Sequence, residues 1–219
     1  VVAHQLVRQD ANGDQHVVFD AWDHFQLTDN VEPTVGQADF DHANAVYVAP
    51  DGNYVVSWRN LDVITKIDAT TGALIWSLAS PFSARTSDFT IGSDPLNGFS
   101  AQHSVRVLAN GNILVFDNGT KHMPSASRGV EYQLDEGAHT ASMVWQFGHT
   151  PPINTMFTGS VQRFANGNTM LGWTFGSPLA ATEVTSAGDV VWEGTLHAPG
   201  TQVPYRFTKI RSLYRFEDL

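Results

Sequence analysis

The sequence lacks cysteine, long apolar runs and a surplus of positive charge. Without cysteine it can form neither a disulfide nor a thiolate metal site, and both oxidising and reducing compartments stay open. No apolar run approaches the roughly 18 residues of a membrane-spanning helix. Lysine and arginine total 12 against 22 acidic residues, so the net charge of −10 leaves no basic stripe to neutralise phosphates. We therefore expect neither nucleic acid nor a membrane as a partner.

The composition that remains is typical of an ordered globular protein. Hydrophobic residues make up 42% and charged residues 16% of the 219 residues, enough for a sizeable core. Eighteen glycines and thirteen phenylalanines fit many short strands joined by tight turns. The chain starts Val-Val-Ala-His, without a methionine, a charged leader or a cleavage site, so we expect a mature product or an internal fragment.

Residues 102–132 read as a β-hairpin with polar side chains at one end. Two short, β-rich apolar runs flank the Ala-Asn-Gly-Asn turn at 109–112, and Asn-Gly supplies the positive φ angles that a two-residue hairpin turn needs. His103 stands at the entrance of the hairpin, and Asn118 and Arg128 follow its exit. An imidazole, a carboxamide and a guanidinium gathered at one rim would suit an oxyanion.

The same turn recurs along the chain. A glycine followed by Asn or Asp precedes an apolar run five times, at Gly13, Gly52, Gly111, Gly167 and Gly188. The last two glycines are close enough to belong to one four-stranded unit. Repeats of roughly 45–60 residues with such turns are typical of β-propeller blades.

A second repeated element consists of two strands joined by a short turn, as at 64–78 and 130–147. Trp76, Trp145 and Trp192 take matching places in its closing strand. These pairs are interpreted as the outer strands of four-stranded meanders.

We predict an all-β fold, a β-propeller of four-stranded antiparallel blades that forms one domain over residues 1–219. No stretch keeps a helical i, i+3, i+4, i+7 apolar pattern, so helix content should be very low. The segments 80–99 and 148–158 are rich in Pro, Ser, Gly and Asp and are predicted as loops. A β-sandwich is the alternative fold, which explains the alternation and turns but not the repeated Trp and Thr-Gly spacing.

A collinear set of motifs resembles the arylsulfotransferase propellers. The elements that carry the resemblance are DFDHANAV at 39–46, SWR at 57–59, KIDATTGALIW at 66–76, QH at 102–103, FDNG at 116–119, SRGVEY at 127–132, GSVQ at 159–162, GNT at 167–169 and YR at 205–206. Single elements are too short to be specific. The ordered set is specific, and it spans about residues 16–211.

The resemblance implies a propeller of about six blades that moves a sulfuryl group from a phenolic ester to another phenol. The transfer would pass through a sulfated histidine without a nucleotide sulfate donor, and we expect no cofactor and no metal. The motifs imply catalytic roles for His42, His103 and Arg128, and substrate-binding roles for Asn118, Arg59 and Asn44.

The principal site residues also have a purely structural interpretation. His42 could be a turn histidine bonded to a neighbouring aspartate, and His103 a strand-entry residue satisfied by a backbone carbonyl. Asn118 in Asp-Asn-Gly could form an Asx-turn. Arg128 could be a surface arginine paired with Glu131.

The sequence departs from the family pattern in two ways. A chain of 219 residues makes about four blades, so we expect an incomplete C-terminal portion of a larger propeller, or a second chain that supplies the missing blades. The family's nucleophilic histidine is expected in the segment 172–182, which contains no histidine here. A different histidine would then be the nucleophile, or the chemistry would differ.

Three functions follow as hypotheses. The first is the sulfotransferase, acting on a small phenolic sulfate or another anionic ligand, in a secreted or extracytoplasmic protein. The second is a propeller lyase or hydrolase on uronate-containing glycans, and the third is a non-catalytic propeller that binds glycans or proteins. If the first holds, His42, His103, Asn118 and Arg128 should converge, and Arg128→Ala should abolish anion binding while the fold stays intact.

Overall fold

The chain folds into short strands and tight turns. The computed structural model describes residues 1–32, 39–174, 178–196 and 204–210. The strands are β1 (Gln5–Gln9), β2 (Gln15–Asp20), β3 (Ala43–Val48), β4 (Tyr54–Trp58), β5 (Val63–Ile67), β6 (Leu74–Ala79), β7 (Thr90–Gly92), β8 (His103–Val107), β9 (Ile113–Asp117), β10 (Arg128–Asp135), β11 (Thr140–Gly148), β12 (Ser160–Arg163), β13 (Thr169–Gly172), β14 (Leu179–Val184) and β15 (Val190–Thr195).

Helix in the described part of the chain is limited to three single turns. Three-residue 3-10 helices lie at Ala21–Asp23, Leu27–Asp29 and Arg59–Leu61, and the described ranges contain no α-helix. No helix in that part of the chain is long and apolar enough to cross a membrane. The predicted all-β fold is confirmed.

Glycine turns join consecutive strands as the sequence predicts. Gly52, Gly111 and Gly167 have φ angles of 85°, 87° and 87°, in the left-handed region that glycine enters without a steric penalty. The N–H of Gly52 donates to the carbonyl of Ala49 at 2.8 Å, and the N–H of Gly111 donates to the carbonyl of Leu108 at 2.8 Å. The hairpins β3–β4, β8–β9 and β12–β13 are built on these turns.

Three sheets are four-stranded antiparallel meanders. Sheet 1 has the order β3-β4-β5-β6, sheet 2 contains β8-β9-β10-β11, and sheet 3 has the order β12-β13-β14-β15. The hairpin β1–β2 precedes sheet 1 as a separate pair. Gly167 and Gly188 both lie in turns of sheet 3, as predicted.

The repeated tryptophans occupy equivalent positions in the outermost strands of the meanders. Trp76 pairs with Lys66, Trp145 with Glu131 and Trp192 with Glu183 across the last two strands of their sheets. Each tryptophan thus lies opposite a charged residue of the third strand, and the predicted correspondence of the three units is confirmed.

The segment 80–99 is not entirely loop. Residues Thr90–Gly92 form β7, which pairs in parallel with Thr140–Ser142 of β11 and adds a fifth strand to sheet 2. A strand at a sheet edge presents unpaired backbone N–H and C=O groups, and β7 satisfies some of those of β11. The segment 148–158 carries no strand beyond the last residue of β11, as expected of a loop.

Hydrophobic cores lie between consecutive sheets. The residues that form them include Phe19, Phe25 and Trp58 between the β1–β2 hairpin and sheet 1, Ile64, Leu78, Val105 and Val130 between sheets 1 and 2, and Leu114, Phe116, Leu171 and Trp173 between sheets 2 and 3. Burial of each such side chain contributes about 1.5–3 kcal/mol. The sheets therefore stack face to face in a row of three, which differs from the two-sheet packing of a sandwich.

Serine hydroxyls fasten the first strands of successive sheets together. Ser104 Oγ in β8 lies 3.2 Å from the backbone N and 3.5 Å from the backbone O of Val161 in β12. Ser160 Oγ in β12 lies 3.0 Å from both the backbone N and the backbone O of Phe207. The segment 204–210 therefore takes the same place beside β12 that β12 takes beside β8.

Candidate functional site

Two of the predicted site residues, His42 and His103, lie where the first strands of the sheets begin, and the unpredicted Thr158 lies in the corresponding place of sheet 3. His42 directly precedes β3, His103 opens β8, and Thr158 lies two residues before β12. The ring centroids of His42 and His103 are 6.4 Å apart, with the rings edge to face. Because the first strands lie side by side, residues far apart in sequence gather at one end of the row.

Asp39 orients the imidazole of His42. Its Oδ1 accepts the backbone N–H of His42 at 3.2 Å, and its Oδ2 hydrogen-bonds to Nδ1 of the ring. A proton held on Nδ1 leaves the lone pair on Nε2. No described residue hydrogen-bonds to Nε2, and the side chain is 39% exposed. His42 is thus the turn histidine bonded to a neighbouring aspartate, and it also presents a free ring nitrogen.

His103 has the opposite environment. Nδ1 lies 2.8 Å from Oδ1 of Asn118 and 3.1 Å from the carbonyl of Ala101, while Nε2 accepts the N–H of Thr158 at 3.2 Å. Both ring nitrogens are therefore in use, and the ring is neutral with its proton on Nδ1. Burial lowers the pKa of His103 to about 3, and the positive charge of Arg59 acts in the same direction.

Asn118 holds His103 and the loop 148–158 in place. Its Oδ1 faces His103, and its Nδ2 donates to the carbonyls of Thr155 at 2.7 Å and Thr158 at 2.9 Å. The side chain is fully buried. Both amide donors are used, so Asn118 has none left for a substrate. The Asx-turn here belongs instead to Asp117, whose Oδ1 accepts the N–H of Gly119 at 2.9 Å.

Arg59 is a buried cation with unused donors. Only 5% of the residue is exposed. Nη1 donates to Oδ1 of Asn60 at 2.7 Å and Nη2 to the carbonyl of Met156 at 3.3 Å, which leaves the other N–H groups of the guanidinium without a described partner. Glu32 lies 3.9 Å away, and the ring of Phe157 lies 5.4 Å from the guanidinium. Arg59 therefore retains donors for an anion.

Arg128 is placed differently from the prediction. Its Nε donates to Asp117 at 2.9 Å, and its two Nη atoms bind both carboxylate oxygens of Asp94 at 2.9 and 2.8 Å. Nη1 also donates to Gln146 at 2.6 Å and Nη2 to the carbonyl of Gly98 at 2.7 Å. All five N–H groups of the guanidinium are used.

The expected roles of Arg128 as an oxyanion ligand and as a partner of Glu131 therefore both need correction. Its carboxylate partners Asp94 and Asp117 raise the pKa of Arg128 despite burial, which by itself would lower it. The guanidinium holds the pKa of Asp94 below its usual value, whereas complete burial raises the pKa of Asp117. Glu131 instead pairs with Arg163 at 2.8 Å. Arg128 is the centre of a buried structural network.

Asn44 links two strands through its side-chain amide. Its Nδ2 donates to the carbonyl of Gln102 at 2.7 Å, which joins β3 to the start of β8. Its own carbonyl accepts Nη2 of Arg206 at 2.8 Å. Its buried Oδ1 has no partner among the described residues. The predicted substrate-binding role of Asn44 thus corresponds to a contact between strands.

His4 is a further residue at this site, one that the sequence did not predict. Its Nδ1 lies 2.6 Å from Asp41 Oδ1 and 3.8 Å from Asp39 Oδ1. The hydrogen bond to Asp41 raises the pKa of His4. One ligand atom from each of these three residues lies within 4.8 Å of the others, so they could hold a metal ion. The short His4–Asp41 contact is also that of a charge-assisted hydrogen bond, which satisfies the group without a metal.

Tyr205 is a second unpredicted neighbour. Its ring centroid lies 6.2 Å from that of His103, with the rings edge to face. The sequence signal for this residue is the Tyr-Arg element at 205–206, one of the motifs that resemble the family. Of the segment 172–182, residues 175–177 lie outside the described residues, and Thr174 Oγ1 hydrogen-bonds to Thr158 Oγ1 beside the site.

The comparisons with known proteins bear on both family and fold. The family model described as Arylsulfotransferase (ASST) matches residues 4–208. No curated protein matches the sequence. Among solved structures, a protein of unknown function from Bacteroides caccae is 17% identical with a TM-score of 0.51, and the match covers 78% of this chain and 56% of that one.

Two further solved structures have the same TM-score. Virginiamycin B lyase from Staphylococcus aureus is 12% identical, with 89% of this chain and 50% of that chain covered and a TM-score of 0.51. A protein from Lactobacillus plantarum is 11% identical, with 88% and 51% covered and a TM-score of 0.51. The chain spans about half the length of these structures. At such identities the likeness shows the fold alone, which is propeller-like.

Proposed function

Because the chain belongs to the arylsulfotransferase family, we propose that it transfers a sulfuryl group from a phenolic sulfate ester to a phenol, with His42 as the acceptor in the protein. Family membership supports a sulfotransferase-like function. The finer proposal depends on one observation, the free Nε2 of His42 on a ring that Asp39 holds by Nδ1. This is the arrangement in which an imidazole acts as a nucleophile.

The reaction divides into two displacements at sulfur. In the first, Nε2 of His42 forms a bond to sulfur while the bond between sulfur and the phenolic oxygen breaks, and the phenolate leaves with that electron pair and takes a proton from water. In the second, the acceptor phenol attacks sulfur, the nitrogen–sulfur bond returns its electron pair to Nε2, and the phenol proton passes to solvent. Asp39 stabilises the positive charge that develops on the imidazole.

Arg59 and His103 have supporting roles in this proposal. The unused N–H groups of Arg59 would bind the non-bridging oxygens, where charge accumulates in transfer of this kind. Burial lowers the pKa of His103 to about 3, so the ring is neutral near pH 7 and has no acidic proton to donate to the leaving group. His103 would therefore line the site as a neutral side chain. Arg128 contributes no contact with the anion.

The architecture is also a proposal beyond the all-β fold. We infer that the three sheets and the β1–β2 hairpin are blades of a propeller of about six blades, completed by residues outside this sequence or by a second chain. A small aryl sulfate would be the ligand, with neither nucleic acid nor membrane as a partner, no cofactor, and a secreted or extracytoplasmic location.

The test is an assay of nitrophenyl sulfate with phenol as the acceptor, made on wild type, His42→Ala and His103→Asn. We expect His42→Ala to lower turnover by about 10³-fold or more, because it removes the nucleophile. Mass spectrometry of wild type quenched during turnover should find one SO₃ group on the peptide that contains His42.

Other outcomes would support the other two hypotheses. Full turnover by His42→Ala would remove this residue as the nucleophile. Cleavage of a uronate-containing glycan without sulfuryl transfer would favour the lyase or hydrolase. Retention on a glycan array without any turnover would favour a binding module.

A further inference from the structure

Two arginines near the site have no carboxylate partner among the described residues. Most lysines and arginines in the described ranges lie within 4.0 Å of a carboxylate, and the exceptions are Arg8, Arg106 and Arg206. Arg8 is exposed on the β1–β2 hairpin. The net charge of the chain is −10, yet no carboxylate of the described residues lies within 4.0 Å of Arg106 or Arg206.

Arg106 and Arg206 both approach β3, from different segments. Arg106 belongs to β8, and its guanidinium lies 5.8 Å from the ring of Tyr47 in β3. Arg206 belongs to the segment 204–210 and donates from Nη2 to the carbonyl of Asn44, immediately inside β3, at 2.8 Å. The two guanidinium groups therefore both lie beside β3, where the residues they contact, Tyr47 and Asn44, are three positions apart.

The two positive charges influence each other. Burial lowers the pKa of Arg106, and the positive charge of Arg206 lowers it further. Among the described residues, the side chain of Arg106 donates only to the carbonyl of the adjacent Val105, at 3.2 Å. Like charges held close in a partly buried position are destabilising unless an anion lies between them.

Tyr205 connects this pair to the site described above. The guanidinium of Arg206 lies 5.3 Å from the ring of Tyr205, and the same ring lies 6.2 Å from that of His103. The ring of Tyr205 thus lies near both His103 of the histidine site and Arg206 of the arginine pair. An aryl ligand that packs against Tyr205 would be within reach of both.

We propose that Arg106 and Arg206 form a second anion-binding subsite, which takes an additional sulfate, carboxylate or phosphate group on the aryl substrate. The guanidinium forks suit the oxygens of such groups, and binding would relieve their mutual repulsion. The preferred substrates would then be aromatic compounds with two anionic groups at opposite ends. The identity of this substrate class depends on the proposed function, but the subsite itself does not.

The test uses non-reactive ligands, so binding is measured apart from chemistry. Naphthalene-2,6-disulfonate and naphthalene-2-sulfonate carry carbon–sulfur bonds that a sulfotransferase does not break, and isothermal titration calorimetry gives both affinities. Wild type should bind the disulfonate at least about tenfold more tightly than the monosulfonate. This preference should shrink as salt is raised, because exposed charges are screened.

Variants locate the preference. Arg206→Gln and the double variant Arg106→Gln/Arg206→Gln should bring the two affinities to within about twofold of each other. Arg8→Gln is the matched control, because Arg8 also has no described carboxylate partner but lies on the β1–β2 hairpin. This variant should keep the wild-type preference for the disulfonate. Arg206 is exposed, so its single variant remains informative even if the double variant folds poorly.

The outcomes separate this subsite from the proposed function. Equal affinities in wild type, or a preference that survives Arg206→Gln, would remove the subsite. Tight disulfonate binding by a protein that does not turn over nitrophenyl sulfate would keep the subsite and remove the sulfotransferase. Turnover of nitrophenyl sulfate without any preference for the disulfonate would keep the sulfotransferase and remove the subsite.

Discussion

Two arginines in this protein, Arg128 and Arg59, are almost equally buried but belong to different kinds of region. Arg128 uses every N–H group on carboxylates, an amide and a carbonyl. Among the described residues, Arg59 makes two hydrogen bonds, lies 3.9 Å from the carboxylate of Glu32 and keeps its other donors free. Burial alone therefore does not separate a structural cation from a functional one. The number of unused donors does.

The histidines repeat this contrast within a single site. His103 has both ring nitrogens occupied in a buried pocket, whereas His42 has one nitrogen held by Asp39 and the other free. Groups whose donors and acceptors are all in hydrogen bonds make a region rigid, whereas groups with an unused donor or acceptor can act on a ligand. Chemistry is thus expected at His42 and Arg59, and stability at His103 and Arg128.

The sharpest test of this contrast is Arg128→Gln. Removal of the guanidinium leaves Asp94 and Asp117 without their common counter-charge in a buried place, so we expect a loss of about 3–5 kcal/mol of unfolding free energy. Urea denaturation monitored by tryptophan fluorescence measures it. A variant as stable as wild type that had lost anion binding would restore the role predicted from sequence.

Arg59→Gln is the matched change in the other region. We expect a smaller loss of stability, about 1 kcal/mol, because only two hydrogen bonds disappear. Turnover of nitrophenyl sulfate should fall by about 10²-fold or more, since donors to the transferring group are removed. The comparison fails if Arg59→Gln destabilises the fold as much as Arg128→Gln does and turnover of the folded fraction is unchanged.

The pH dependence of stability should show a weaker effect that belongs to His103. The folded protein holds the pKa of this histidine at about 3, whereas an unfolded chain has about 6.5. Between these values the unfolded state binds the extra proton, so the stability contribution is complete above pH 6.5 and is lost as the pH falls towards 3.

His103→Asn isolates this contribution from other titrating groups. His4 acts with the opposite sign, since its pKa is raised by folding and its contribution is lost as the pH rises through that value. Urea midpoints of wild type and His103→Asn from pH 7 to pH 4 should therefore converge as the pH falls. Parallel curves would show that His103 is not held neutral.

What the sequence could predict follows from the range of the interactions. The Asn-Gly turns and the tryptophans opposite Lys66, Glu131 and Glu183 depend on neighbours in the chain or on strand alternation, and both were predictable. The pairing of β7 in parallel with β11 was not, because three residues carry no period that could indicate a partner.

The site was predictable only in part for the same reason. The spacing of Asp39 and His42 suggests their hydrogen bond, since three residues span a turn. Nothing in the sequence joins Arg128 to Asp94, which lies 34 residues earlier. A motif gives the identity of an arginine, but its role depends on which carboxylates the fold brings to it.

The two serine hydroxyls between first strands have a mechanical consequence. Ser104 links β8 to β12 by hydrogen bonds, and Ser160 links β12 to the segment 204–210. The first strand of each of these sheets is therefore stabilised by the segment that follows it in the row. In units coupled to their nearest neighbours, the loss of one contact weakens both of the strands that it joins. Ser104→Ala should therefore lower the hydrogen-exchange protection of the amides of β8 and β12 more than that of the amides of β4 in sheet 1. A pulling force applied to the segment 204–210 would break the hydrogen bonds of Ser160 before those of Ser104, because Ser160 binds that segment directly.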